Sequence, residues 1–353
     1  MQDITPHTME ILENIINKAR KIAIVSHMKP DGDAIGSCIG MYHFLAMCGK
    51  TDKKIVLPHR APFYLNFLLD KGTSADMLIH EDKPQEAETA IAESDLIICL
   101  DFNAFHRTDK LEKVLSESQA QKVLIDHHLN PDRKMFTLSY SETEISSASE
   151  FVYNILMSTS VIKGDAGKLP ALSALALMTG MTTDTNNFAN SVFPSTLRMA
   201  SELIEAGVDR DMILSNLYNQ YSETRMRLMG HVLQDLMTIT ADGVAYIILD
   251  RKTLQEYHIE EGDTEGFVNL PLSMAKVKMS LLLKEDGDKI RVSIRSKKGV
   301  SANMCSRLHF NGGGHENAAG GRLYIPTDVS GIEDAPAYIE RHTHIFMTEE
   351  NEK

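Results

Sequence analysis

Residues 21–37 read KIAIVSHMKPDGDAIGS, and the change of character inside them decides the fold. Lys21 to Ser26 is a short apolar run rich in β-branched residues, His27 to Asp33 is a polar turn shaped by Pro30 and Gly32, and a helical pattern begins at Ala34. This is strand, loop, helix. The alternation recurs in KKIVLP (53–58), DLIICLD (95–101) and KVLID (122–126), with helix-compatible stretches between them. Short apolar runs separated by helices predict an α/β fold, a parallel sheet with helices on both faces. Ligands of such sheets collect at the carboxyl ends of the strands, which places His27, Asp101 and Asp126 on one rim.

Upstream, MQDITPHTMEILENIINKAR (1–20) has an amphipathic helical pattern whose Asp3, Glu10 and Glu13 interrupt the apolar stretch that a signal peptide needs. Downstream, SSASEFVYNILMS (146–158) and the stretch from Leu169 to Thr179 read as helices, the second ending in the polar turn TTDTNN that carries Asp184. Periodicity makes Pro194 to about Met237 a helical connector. Beyond it, VAYIILD (244–250) and VKMSLLLKEDGDKIRVSIRS (277–296) are strands, with Asp286, Gly287 and Asp288 forming a hairpin turn. The expected division is a first domain at 1–193, a helical connector at 194–237 and a second domain at 238–345. The terminal EENEK reads as a frayed acidic tail.

With 43% hydrophobic and 24% charged residues in 353, the chain is globular rather than disordered. A net charge of -13 argues against long duplex nucleic acid, which needs a basic surface to displace counterions, so an anionic substrate must be held locally. Cys38, Cys48, Cys99 and Cys305 lack the spacing of a zinc site or a disulfide framework and read as buried thiols in a reducing compartment. No segment approaches the roughly 20 apolar residues of a membrane span. A cytoplasmic location without membrane contact is the expectation. The 19 methionines are scattered and read as core filler. His231, His309, His342 and His344 have no carboxylate pattern around them and read as surface or core side chains.

Five constellations carry chemistry. His27, Asp31 and Asp33 can converge on one point at the rim, and their imidazole and carboxylate donors suit manganese or a similar octahedral ion; the competing reading has Asp33 merely capping the next helix. Asp101 follows five apolar residues, where an ionised carboxylate is costly unless a positive group neutralises it. Simple emergence at the strand end is its alternative. In Asp126-His127-His128 the adjacent rings point in different directions, so one can bind metal while the other faces substrate, with Asp126 holding a neighbouring imidazole by its second nitrogen; an ordinary polar loop would look similar. Asp184 could be just part of a helix-ending turn, but four such sites at the ends of successive elements would repel one another without cations. Last, Arg295-Ser296 and NGGGHENAAGG (311–321) combine donors with glycines whose N–H groups can approach a phosphate, the alternative being a flexible hairpin.

In this order HMKPDGDAIGS, LDFNAFHRT, IDHH and MTTDT resemble the DHH phosphoesterase superfamily, and the later RS and GGGHENAAGG resemble its companion DHHA1 domain. The likeness covers nearly the whole chain and is strongest to the short stand-alone type, nanoRNases and 3'-phosphoadenosine 5'-phosphate phosphatases. It implies a smaller α/β second domain with a mixed sheet, and two Mn2+ ions per site. By the resemblance His27 and Asp31 hold one ion, Asp33, His127 and Asp184 hold the other, and Asp101 bridges. Asp126 and His128 are the implied catalytic pair, His128 contacting the scissile phosphate. Arg107, Arg295, Ser296, Gly312, Gly313, Gly314 and His315 are the implied substrate contacts. Glu316 departs from the family pattern and weakens the attraction of the glycine loop for phosphate.

The chemistry implied is in-line displacement at phosphorus by water activated between cations roughly 3.5 to 4 Å apart, with no covalent intermediate. A substrate gripped on the metals and on the glycine loop is measured for length, so the partners expected are short oligoribonucleotides or small nucleotides. Hydrolysis of a cyclic dinucleotide or its linear product is the alternative within enzymes, ahead of pyrophosphate hydrolysis. A nucleotide-binding regulator with a decayed site is the alternative outside them. Oligomeric state is open, a homodimer included.

Overall fold

Every side chain of the run Leu96–Leu100 is buried, as expected of a strand covered on both faces. The computed structural model describes residues 3–219, 221–259 and 262–351. They fall into two units, Met1–Gln220 and Tyr221–Lys353. In the first, the order is α1 (Pro6–Lys18), β1 (Lys21–Val25), α2 (Gly32–Met47), β2 (Asp52–Leu57), α3 (Lys71–Asp76), β3 (Met77–Ile79), α4 (Pro84–Ala92), β4 (Leu96–Leu100), α5 (Glu112–Glu117), β5 (Gln121–Asp126), β6 (Leu138–Ser141), α6 (Ala148–Met157), α7 (Ala171–Asp184), α8 (Pro194–Glu205) and α9 (Arg210–Tyr218). All six strands are parallel, in the order β3-β2-β1-β4-β5-β6.

Alternation along the strands builds the layers. Ile22, Ile24, Ile98 and Ile125 face a core with α1, α2, α6 and α7, while Ala23, Val25, Cys99 and Leu124 face one with α4 and α5. Strand order reverses between β1 and β4, so their carboxyl ends border the crevice where such sheets bind ligands. His27 and Asp101 follow those two strands directly.

Helix α2 approaches α7 through a stripe of small residues. A Cβ on Gly36 would lie 2.5 Å from the carbonyl oxygen of Ala176 and 2.9 Å from the backbone nitrogen of Gly180. The contact brings the loop before α2 and the end of α7 to one place. Two details differ from the sequence reading. Helix α2 starts at Gly32 with Asp31, not Asp33, as its cap, because the Asp31 carboxylate accepts the N–H groups of Asp33 and Ala34. Helix α7 runs into the supposed polar turn as far as Asp184, with the hydroxyls of Thr182 and Thr183 bonded back to the Met178 and Gly180 carbonyls.

The second unit holds α10 (Glu223–His231), β7 (Met237–Ile239), β8 (Val244–Leu249), α11 (Arg251–Glu256), β9 (Met279–Asp286), β10 (Lys289–Ser296), α12 (Ala302–His309), β11 (Gly313–His315), β12 (Ala318–Tyr324) and α13 (Ala335–Asn351). The sheet is mixed, ordered β11-β12-β10-β9-β8-β7, and only the β8–β9 pair is parallel. The hairpin turn narrows to Gly287 and Asp288, because Asp286 still pairs with Lys289. The supposed connector is divided, α8 and α9 lying in the first unit and α10 in the second. The acidic tail is helical as far as Asn351, with Glu352 and Lys353 outside the described residues, as are Met1 and Gln2 of the first helical stretch.

Cys38, Cys99 and Cys305 are buried free thiols, whereas Cys48 is half-buried. Two of the four histidines set aside above do have carboxylates: His231 Nδ1 is 2.7 Å from Asp235 and His344 Nδ1 is 2.8 Å from Asp242. The other two face each other, His309 Nδ1 lying 3.2 Å from His342 Nδ1. Among the described residues no helix is long and apolar enough to cross a membrane.

The close approach of α2 and α7 predicts that Gly36→Ala costs about 1–3 kcal/mol, the range of overpacked cores. The control is Gly230→Ala on α10, where a methyl group meets open space and helix propensity improves. Thermal unfolding should show a lower Tm for the first variant and an unchanged or raised one for the control.

Candidate metal centre

At the end of β1 the Ser26 hydroxyl donates to the Leu100 carbonyl at 2.8 Å, tying the exits of β1 and β4 together. His27 follows, buried, with Nδ1 2.9 Å from the Met28 carbonyl. A proton on Nδ1 makes that bond and leaves Nε2 with its lone pair. That nitrogen lies 3.3 Å from Asp101 Oδ2 and 3.9 Å from Asp31 Oδ1. Asp101 itself adopts φ of 63°, a left-handed conformation that few residues other than glycine take, and its N–H bonds the Ile125 carbonyl at 3.1 Å. This bend aims the carboxylate into the crevice.

Its second oxygen, Oδ1, is 3.3 Å from His127 Nε2 and 3.7 Å from His128 Nδ1. Asp101 is 2% exposed, yet Oδ1 has no hydrogen-bond partner among the described residues. A buried carboxylate oxygen left without a donor is costly, and a cation is the group that would remove the cost.

Asp33 sits in the first turn of α2, 1% exposed, and its oxygens accept the N–H groups of Ala148 at 2.6 Å and Ser149 at 2.8 Å. Those donors are the unpaired amides at the start of α6, where the helix dipole favours an anion. Asp33 Oδ2 and Asp184 Oδ2 each lie 3.8 Å from His127 Nε2. Asp126, fully buried, holds the second histidine: Oδ1 is 2.7 Å from His128 Nδ1 and Oδ2 accepts the His128 N–H at 3.1 Å.

Three groups therefore offer donor atoms within 4.8 Å of one another: His27, Asp31 and Asp101; Asp33, His127 and Asp184; Asp101, His127 and His128. Asp101 and His127 each belong to two groups, so neighbouring cations could share them. Nitrogen and carboxylate oxygen donors fit a divalent ion of the manganese or zinc kind.

Protons take part of that role when no cation is bound. Burial pulls His27 down, but the hydrogen bond and charge of Asp101, with Asp31 behind, outweigh it and push the group up to about 9. His127 is likewise pulled down by burial and carried up to about 10 by Asp101, Asp184 and Asp33. Burial raises Asp184 to about 7, His127 opposing and Asp101 and Asp31 reinforcing. Burial and the charges of Asp101 and Asp184 raise Asp33 too.

Arg107 lies half-buried in the 3-10 turn Phe105–Leu111 after Asp101, and its carbonyl accepts the Met28 N–H at 2.7 Å. In the second unit Arg295 is half-buried, with its guanidinium 3.0 Å from the Ile294 carbonyl. Burial lowers its pKa, and the charge of Glu265 opposes this. The Ser296 hydroxyl is committed within the fold, donating to the Val300 carbonyl at 2.6 Å and accepting from Asn317 Nδ2 at 3.0 Å.

The glycine motif is more ordered than its composition suggests. Gly313 to His315 form β11, and the Gly314 N–H donates to Asn303 Oδ1 at 3.0 Å. Gly314 has φ of 156°, and a Cβ there would sit 2.6 Å from the Ala318 carbonyl oxygen, so close backbone approach demands the glycine. Gly312 meets Gly320 and Ser306 in the same way. Glu316 is exposed and accepts from the Ser301 hydroxyl at 3.0 Å.

The amides of Ala148 and Ser149 escaped the sequence reading. Ser147-Ala-Ser-Glu150 carries the spacing of a helix start, which marks those amides as unpaired but says nothing about which carboxylate docks there.

A family model described as DHH family, N-terminal domain, matches residues 21–181, and one described as DHHA1 domain matches 240–337. A probable bifunctional oligoribonuclease and PAP phosphatase NrnA of Streptococcus mutans is 30% identical over 306 residues, 86% of this chain and 89% of its own. The cyclic-di-AMP phosphodiesterase GdpP of Geobacillus thermodenitrificans is 26% identical over 341 residues, 95% of this chain but 49% of that protein. A crystal structure of an exopolyphosphatase-related protein from Bacteroides fragilis has a TM-score of 0.91 and 35% identity over 99% of both chains.

Ligation needs unprotonated imidazole and carboxylate, so a divalent ion held by these groups would have to displace the protons on His27, His127 and Asp184. Binding at pH 7 is expected to release more than one proton per chain, and affinity should rise with pH up to about 10, where the last of these groups gives up its proton. Calorimetric titration in buffers of different ionisation enthalpy measures the release directly.

Proposed function

The chain belongs to the DHH family, with a DHHA1 domain behind its DHH domain, and from that we propose a manganese-dependent phosphoesterase that hydrolyses short RNA oligonucleotides and removes the 3'-phosphate of 3'-phosphoadenosine 5'-phosphate. Family membership makes the chain a hydrolase. The observation that supports the metal-dependent part of this reading is the buried Oδ1 of Asp101, which lacks a formed hydrogen bond and lies between histidines that reach further carboxylates on either side; the substrates rest on the likeness to NrnA.

In this reading His27 and Asp31 would hold one ion, Asp33, His127 and Asp184 would hold the other, and Asp101 would serve both. Bound there, divalent cations supply Lewis acidity at phosphorus and lower the pKa of water. The chain does the orienting. Amides of α6 fix Asp33, Asp126 turns His128 toward the scissile phosphate, and Arg107 contacts a phosphate oxygen. In the second unit, Arg295 and the Gly312 to His315 segment are the nucleotide contacts, although the amides of Gly312 and Gly314 are already bonded to Ser306 and Asn303. Ser296 contributes through the hydrogen bonds that set the end of β10 beside Asn317.

The similarity to GdpP supports a second reading, hydrolysis of a cyclic dinucleotide, but it spans only half of that protein, whereas the NrnA relative matches over most of its length. Hydrolysis of pApA, longer RNA, cyclic di-AMP, 3'-phosphoadenosine 5'-phosphate and pyrophosphate, compared by kcat/KM with Mn2+ and with Mg2+, separates them. The expected ranking puts pApA and 3'-phosphoadenosine 5'-phosphate first, with Mn2+ preferred. Asp101→Ala and Asp184→Ala should each lose more than the roughly 10–100-fold typical of residues that only orient ligands. Full activity in both folded variants would sink the two-metal reading.

A further inference from the structure

The loop from His27 to Asp31 must bring two donors together, and little regular structure holds it. Its apex is bent: Lys29 has φ of 53° and an exposed side chain. Two successive N–H groups at that apex are taken by other parts of the unit. The Met28 N–H donates to the Arg107 carbonyl at 2.7 Å, and the Lys29 N–H donates to His59 Nδ1 at 3.1 Å. His59 stands just past the end of β2, outside every motif described above.

Because Nδ1 of His59 accepts, the ring proton of the neutral form sits on Nε2, which lies 3.6 Å from Asp109 Oδ2. Asp109 belongs to the same turn as Arg107 and has φ of 51°. One turn therefore supports the loop directly through a carbonyl, and its Asp109 carboxylate faces the ring that takes the second N–H. The loop is gripped from both sides of β1.

We infer that His59 is a positioning residue for the cation held by His27 and Asp31, acting through the Lys29 amide, with Asp109 keeping its ring in the required orientation. This rests on the metal-dependent reading proposed above. The effect falls mainly on one ion, Asp101 being the ligand the two would share. Asp33 is held by the amides of α6, while Asp184 ends α7 and His127 follows β5, so none of that group depends on the Lys29 apex.

The full chain, stripped of cations, is titrated with Mn2+ while free Mn2+ is followed by electron paramagnetic resonance. Wild type is expected to bind two ions. His59→Ala should weaken one of them about 10–100-fold, as for other groups that orient ligands, and leave the second nearly unchanged. His59→Asn, whose amide oxygen can stand near the position of Nδ1, should restore the weakened ion. Unchanged binding of both ions in His59→Ala, equal weakening of both, or an Asn variant as weak as Ala each overturns the inference. Should His59→Ala not fold, Asp109→Ala replaces it: a smaller loss at one ion is expected, and no loss overturns the inference. A wild-type chain that binds no Mn2+ overturns the metal-dependent reading itself, and this inference with it.

Discussion

Asp33, Asp101 and Asp126 are each at most 2% exposed and gathered at one end of a parallel sheet, so the first unit has to balance buried negative charge. It does so differently at each. Asp33 is answered by helix amides and Asp126 by the adjacent histidine, both within the fold. Asp101 is answered by an imidazole 3.3 Å from each oxygen, and its Oδ1 has no well-formed hydrogen bond. Cations bound there would compete with the protons on these groups, which would couple metal binding to pH.

The scaffold follows from holding those carboxylates in register. The switch in strand order puts β1 and β4 side by side, so His27 and Asp101 leave the sheet next to each other. Asp31 and Asp33 enter from the start of α2, and Asp184 from the end of α7. These two helices can deliver them to one place only because small residues let their backbones nearly touch; a Cβ on Gly180 would be 3.1 Å from Asp33 Oδ1. Packing and chemistry share these glycines.

The second unit uses glycine to another end. In β11 and β12 the absence of side chains permits backbones to cross closely, and the Gly314 amide is already engaged by Asn303. Glu316 is engaged as well, by the hydroxyl that caps α12. The carboxylate beside the glycine segment thus has a structural partner at the helix start.

Much of this was legible in the chain itself. Residues 21–37, 95–101 and 122–128 show strand, turn and charge in a spacing of covalent origin, so the parallel sheet and the rim positions of His27, Asp101 and Asp126 follow from local pattern. The short strands β3 and β6 were not legible, since three or four half-buried residues carry too little periodicity to stand out. Nor was the end of α7, where threonine hydroxyls satisfy helix carbonyls in a stretch that resembles a turn. Local residue type determined which side chains are available for chemistry and at which strand ends. Tertiary structure alone decided that Asp33 docks on α6 and that His59 reaches the Lys29 amide. Those contacts join segments 30 to 116 residues apart, and a hydrogen bond across such a distance depends on packing that no local sequence pattern encodes.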